Sequence, residues 1–80
     1  MITLFSTIGC HLCEMAYQQL QQAGVSHLVK IVDIADDEYL SARYGVTIPV
    51  LQYAENELNW PFNFNELIQW LDRNGIDYHQ

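Results

Sequence analysis

Eighty residues, half of them apolar, are enough for a single compact domain with a modest core and leave no room for a second. Ten acidic residues against three cations give a formal charge of -7, and Lys30, Arg43 and Arg73 are scattered along the chain, so there is no basic footprint for nucleic acid. The same acidity repels anionic lipid, and no apolar run approaches the roughly 20 residues that span a bilayer, so a soluble protein without a membrane partner is expected.

In chain order, Thr3-Leu4-Phe5 is a short apolar run of β propensity that ends at Ser6-Thr7-Ile8-Gly9, and it predicts a strand feeding a loop. From Leu12 to Gln22 the residue types favour helix, with Cys13, Ala16, Tyr17 and Leu20 at the spacing of one buried stripe and Gly24 as the stop. Leu28 to Val32 is rich in β-branched residues and predicts a second strand, parallel to the first. Asp36-Asp37-Glu38 supplies an N-cap and first-turn acids for a short helix through Tyr44, closed by Gly45.

Val46-Thr47-Ile48-Pro49 leads into Val50 to Tyr53, and the turn residues Ala54-Glu55-Asn56 join that strand to Glu57 to Trp60 as a hairpin. Pro61 cannot donate to a ladder, which makes the last strand an edge. Asn63 and Glu66 have the spacing of an Asx capping box, ahead of a helix with Phe64, Leu67, Trp70 and Leu71 on one face and Gly75 at its end. The expected architecture is therefore α/β, in the order βαβαββα, as one domain over residues 1–80.

The chemistry-bearing motif is Cys10-His11-Leu12-Cys13, at the junction of the first strand and first helix. A thiol attacks only as its thiolate, and a helix N-terminus stabilises that anion through unpaired backbone N–H groups and the helix dipole. Cys10 is placed for this role. Cys13, one turn further in, lies on the buried stripe beside Glu14, and both features keep its thiol protonated and suit it to resolve an intermediate. His11, when protonated, would support the Cys10 thiolate, and Leu12 adds bulk.

No basic leader or apolar signal segment opens the chain, so the cytoplasm is the expected compartment, and there a cysteine pair is catalytic or metal-binding rather than a structural staple. A closed zinc site needs four ligands, and His11, His27 and His79 are not at knuckle spacing. An iron-sulfur cluster shared between two chains is an alternative, as in other CxxC proteins.

Thr47-Ile48-Pro49 alone reads as an ordinary loop. Together with the CxxC pair it resembles the loop of thioredoxin-like proteins, which implies a cis Ile48–Pro49 peptide bond lying against the dithiol and a backbone there that meets an extended substrate. Cys-His-Leu-Cys, Tyr44-Gly45, Ile48-Pro49-Val50-Leu51 and Glu57-Leu58-Asn59-Trp60-Pro61-Phe62 are, over nearly the whole chain, similar to a glutaredoxin-like family of short bacterial proteins of unknown function. The resemblance implies the thioredoxin-like fold, a four-stranded mixed sheet flanked by helices, in a bacterial cytoplasm.

It also implies a thiol-disulfide oxidoreductase, with Cys10 as nucleophile, Cys13 as resolving thiol, and His11, Thr47, Ile48 and Pro49 against the substrate. Glutaredoxins carry Pro-Tyr where this chain has His11-Leu12, a basic residue where it has Ser6-Thr7-Ile8-Gly9, and Gly-Gly-Asp where it has Trp60-Pro61-Phe62. Glutathione is accordingly expected to bind weakly. No other cofactor or metal is expected.

The expected partners are a protein or peptide disulfide and an unidentified electron donor, with the chain acting as a monomer. The competing class is a non-catalytic module that pairs an extended peptide with the cis-proline strand and uses its cysteines as a redox latch. Trp60 and Phe62 are expected to pack rather than to line a groove. Tyr17 and Tyr53 are expected half-buried, and His27 and His79 in solvent.

Overall fold

The computed structural model of the chain describes residues 1–78, so His79 lies outside the described residues. Its central strand β1 (Ile2–Ser6) is short and mostly apolar, and it sends Ile2 and Leu4 to one face of the sheet and Phe5 to the other, all of them buried. A strand buried on both faces must have neighbours on both edges. β2 (Val29–Asp33) pairs with it in parallel, β3 (Val50–Tyr53) pairs antiparallel on the other side, and β4 (Asn56–Asn59) completes the order β2-β1-β3-β4. This four-stranded mixed sheet flanked by helices is the thioredoxin-like arrangement that the resemblance implied.

Helices α1 (His11–Gln22) and α3 (Phe64–Arg73) cover one face. There Ile2, Leu4 and Leu51 from the strands meet Ala16, Leu20, Leu67 and Leu71, and none of these side chains is more than 1 % exposed. α1 ends where Gly24 takes φ 73° and Val25 N–H returns to the Leu20 carbonyl. α3 begins with the expected capping box, the Asn63 side chain accepting from Glu66 N–H at 2.8 Å and the Glu66 carboxylate from Asn63 N–H at 2.9 Å. Ile68 joins its buried face, whereas Phe64 stays half-buried at the first turn.

Helix α2 (Glu38–Tyr44), capped by Asp37, covers the opposite face with Leu40 and Tyr44. Tyr44 stacks on Phe5 with ring centroids 4.3 Å apart, and its hydroxyl donates to the Glu57 carboxylate on β4 at 2.5 Å. Burial, and then this bond, push the Tyr44 phenol above the usual tyrosine value. The Arg43 guanidinium completes the group, 3.9 Å from the Glu57 carboxylate and 5.3 Å from the centre of the Tyr44 ring.

Element boundaries differ from the sequence expectation by a residue or so, most tellingly at β2 and at the hairpin. Leu28 belongs to a single 3-10 turn, because its N–H bonds the Val25 carbonyl at 2.9 Å, and the strand starts one residue later. Asn56 opens β4 opposite Tyr53, so the hairpin turn is only Ala54-Glu55, with Ala54 at φ 53°. β4 is an outer strand, as expected, and ends before Trp60.

Leu51 sits at the centre of the sheet with no exposed surface, and Leu51→Ala is expected to cost about 2–5 kcal/mol in a urea titration. Tyr44 predicts a pH dependence. Its folded-state pKa lies above the unfolded value of about 10, so the stability it contributes is complete below that pH and is lost as pH rises through the folded value. Melting curves from pH 9 to 11 should show the stability gap between wild type and Tyr44→Phe closing as pH rises.

Candidate active site

The site begins where β1 ends. Ser6 accepts the Ile34 N–H at its carbonyl, which ties the two parallel strands at their C-terminal end, and the chain then turns through Thr7-Ile8-Gly9. Gly9 takes φ 82°, a left-handed conformation that an L side chain adopts only under strain. With that reversal Cys10 N–H bonds the Thr7 carbonyl at 3.3 Å, and Cys10 becomes the N-cap of α1 in extended conformation, φ -82° and ψ 102°.

Cys10 Sγ occupies the position that a serine or aspartate oxygen takes at an ordinary helix start, and it accepts the Cys13 N–H at 3.1 Å. Cys10 and Cys13 are joined as a disulfide, their Cα atoms 5.2 Å apart. The pair is asymmetric. Cys13 is 4 % exposed and faces the core, while Cys10 is half-buried at the rim. Once reduced, the outer sulfur alone combines access from solvent with the unpaired N–H groups and positive pole of a 12-residue helix.

His11 projects into solvent, with Nδ1 3.7 Å from the Glu14 carboxylate one turn along. Thr47, Ile48 and Pro49 link α2 to β3. The Thr47 and Ile48 N–H groups both donate to the Tyr44 carbonyl, at 2.9 and 3.0 Å, and Pro49 is buried. The Ile48–Pro49 peptide bond is cis. Because β3 runs antiparallel to β1 with Val50 opposite Phe5, this segment arrives at the same end of the sheet as Cys10.

Trp60-Pro61-Phe62 reaches that end as well, since Asn59 lies opposite Val50 and Trp60 N–H donates to the Pro49 carbonyl at 3.2 Å. Phe62 is core, 4 % exposed, with Trp60 half-buried and edge-on to it at 5.0 Å. The Phe62 carbonyl accepts from the Gln19 amide at 3.1 Å, which fixes this segment to α1. Tyr17 and Tyr53 are half-buried and His27 is exposed.

Sequence reasoning missed a hollow of about 470 Å³ on the α1 and β2 side of the dithiol, with Cys10 and Cys13 in its wall beside Ile8, Tyr17 and Ile31. Its only advance signal was an isoleucine in the loop before the motif. Among the described residues, no three His, Cys, Asp or Glu side chains converge as a metal site, and no helix is long and apolar enough to cross a membrane.

Residues 1–72 match the family described as Glutaredoxin-like domain (DUF836). Two solved structures of a structural genomics target protein, XcR50 from X. campestris, are similar to the chain. The X-ray structure is 39 % identical over 91 % of this chain and 97 % of that one, with a TM-score of 0.85. The solution structure is 40 % identical over 90 % and 92 %, with a TM-score of 0.82. No curated protein matches.

The N-cap position predicts that the Cys10 thiol in Cys13→Ser titrates below the roughly 8.5 of free cysteine. Thiolate absorbance followed against pH measures it. A value at or above that of free cysteine would show that the helix terminus does not activate this sulfur.

Proposed function

Since the chain belongs to the glutaredoxin-like domain family, we propose that it is a thiol-disulfide oxidoreductase acting on protein or peptide disulfides, with Cys10 as nucleophile and Cys13 as resolving thiol. The observation that carries this reading is half-buried Cys10 at the N-cap of α1, its Sγ bonded to a buried partner one turn away. In the first step the Cys10 thiolate attacks one sulfur of a substrate disulfide, forming a mixed disulfide and releasing the other substrate sulfur as a thiolate.

The Cys13 thiol then loses its proton and attacks Cys10 Sγ, releasing the second substrate thiol. The chain is left with the Cys10–Cys13 disulfide, and the substrate has gained the electron pair of the former dithiol. A thiol or dithiol donor restores the reduced pair by the reverse exchange. An extended substrate would run its backbone along Thr47-Ile48-Pro49, and the solvent-facing His11 would meet the same substrate from the helix. The reading assigns the chain to a reducing bacterial cytoplasm, as a monomer.

Glutathione fits this surface poorly. Its two carboxylates need cations or aligned N–H donors, yet Arg43 is committed to Glu57 and Tyr44. Phe62, in the segment that is Gly-Gly-Asp in glutaredoxins, is packed into the core. A formal charge of -7 opposes an anionic tripeptide further, within the reach that salt allows.

Cys13→Ser incubated with lysate should accumulate covalent mixed disulfides that mass spectrometry identifies, whereas Cys10→Ser should trap none; trapping by Cys10→Ser alone would reverse the assigned roles, and equal trapping by both variants would remove them. Turnover of a glutathione mixed disulfide, coupled to glutathione reductase, should fall far below that of a dithiol glutaredoxin measured alongside. Comparable turnover saturating at sub-millimolar glutathione would overturn the weak-binding reading.

A further inference from the structure

We propose that the hollow between α1 and the outer strand β2 is the substrate-selecting subsite of the dithiol, and that it takes an apolar side chain next to the substrate cysteine in a peptide segment of positive charge. This rests on the exchange reading above and concerns the opposite flank of Cys10 from Thr47-Ile48-Pro49. The hollow holds about 470 Å³ and its wall includes both Cys10 and Cys13, so an occupant lies beside the dithiol. It exists because α1 packs over β1 and leaves the neighbouring strand partly uncovered.

Ile31, opposite Leu4 in the β1–β2 register, stands on the face of the sheet that α1 and α3 cover and is 57 % exposed. Ile8, two residues before Cys10, is 91 % exposed. Both line this hollow and also a smaller one of about 160 Å³, lined in addition by Asp33 near the end of β2. Single exposed isoleucines need no explanation, but two that face one concavity with a dithiol in its wall form an apolar seat. An incoming side chain covers their surface and gains hydrophobic contact beside the sulfur that is attacked.

Charge decides what flanks that side chain. Glu14 lines the larger hollow and Asp33 the smaller, and among the described residues no cation lines either. Lys30, adjacent in β2, pairs with Thr3 and so points to the other face. The surplus of seven negative charges adds a long-range field of the same sign. A segment with lysine or arginine next to its apolar residue complements this edge, and an acidic one is repelled.

The test uses reduced full-length protein and three disulfide-linked peptides, in which cysteine is followed by leucine-lysine, leucine-glutamate or glycine-lysine. Wild type should prefer leucine-lysine to both others in kcat/KM, and the leucine-over-glycine ratio should fall about tenfold in Ile31→Ser and in Ile8→Ser. Glu14→Gln should narrow the lysine-over-glutamate ratio. Ile8 lies in an exposed loop, so its variant tests the seat even if the strand variant fails to fold.

Equal rates on all three peptides, or ratios unchanged in both isoleucine variants, would overturn the subsite while leaving the exchange reading intact. Hydroxyethyl disulfide separates the two. A wild-type protein that fails to reduce even this small neutral disulfide removes the exchange reading, and the subsite with it.

Discussion

The antiparallel ladder between β1 and β3 is the constraint on which the rest of this molecule depends. Phe5 opposite Val50 and Leu4 opposite Leu51 bring residues some forty-five positions apart into one register. Direction then does the rest. An antiparallel neighbour must start where β1 finishes, so the Ile48–Pro49 segment arrives at the end from which Cys10 leaves, and β4 returns Trp60-Pro61-Phe62 to the same place. The parallel partner β2 ends there too, through the Ile34 N–H on Ser6. Every segment that borders the dithiol is delivered by strand direction, and the hydrophobic cores on the two faces hold those directions fixed.

Local chemistry made much of this legible in the residues alone. Asn63 and Glu66 announce their helix start through a bond pattern complete within four residues, and Cys10 and Cys13 announce theirs because an N-cap and a buried stripe are properties of one helix. Where the outcome depended on partners distant in sequence, the residues were silent. Leu28 has a strand-former's side chain, yet its N–H found the Val25 carbonyl first. Ala54 adopts φ 53° without the glycine or asparagine that usually signals such a turn, because the register Tyr53 to Asn56 leaves only two residues to close it.

The same division applies to the site. The dithiol and Thr47-Ile48-Pro49 could be named from residue type and spacing, helped by a family resemblance. The hollow could not, since it depends on Ile31 lying opposite Leu4 and on where α1 crosses the sheet. Arg43 is a third case. Its helix position gives no sign of the Glu57 carboxylate on β4, fourteen positions away, that it meets across the sheet's other face. Long-range ion pairing of this kind is set by strand register and leaves no mark in local sequence.

β2 also matters to molecules other than a substrate. As one of the two outer strands, it leaves a row of backbone N–H and C=O groups with no strand beside it among the described residues. Such a row is a template on which further copies can stack in concentrated solution. Lys30 and Asp33 interrupt it with charge, and the acidic surplus of the whole chain keeps copies apart. Colloidal stability thus falls to carboxylates spread over the whole surface. As pH drops toward the sequence isoelectric point of about 4.4 their repulsion fades, and the outer strand becomes an adhesive line along the molecule.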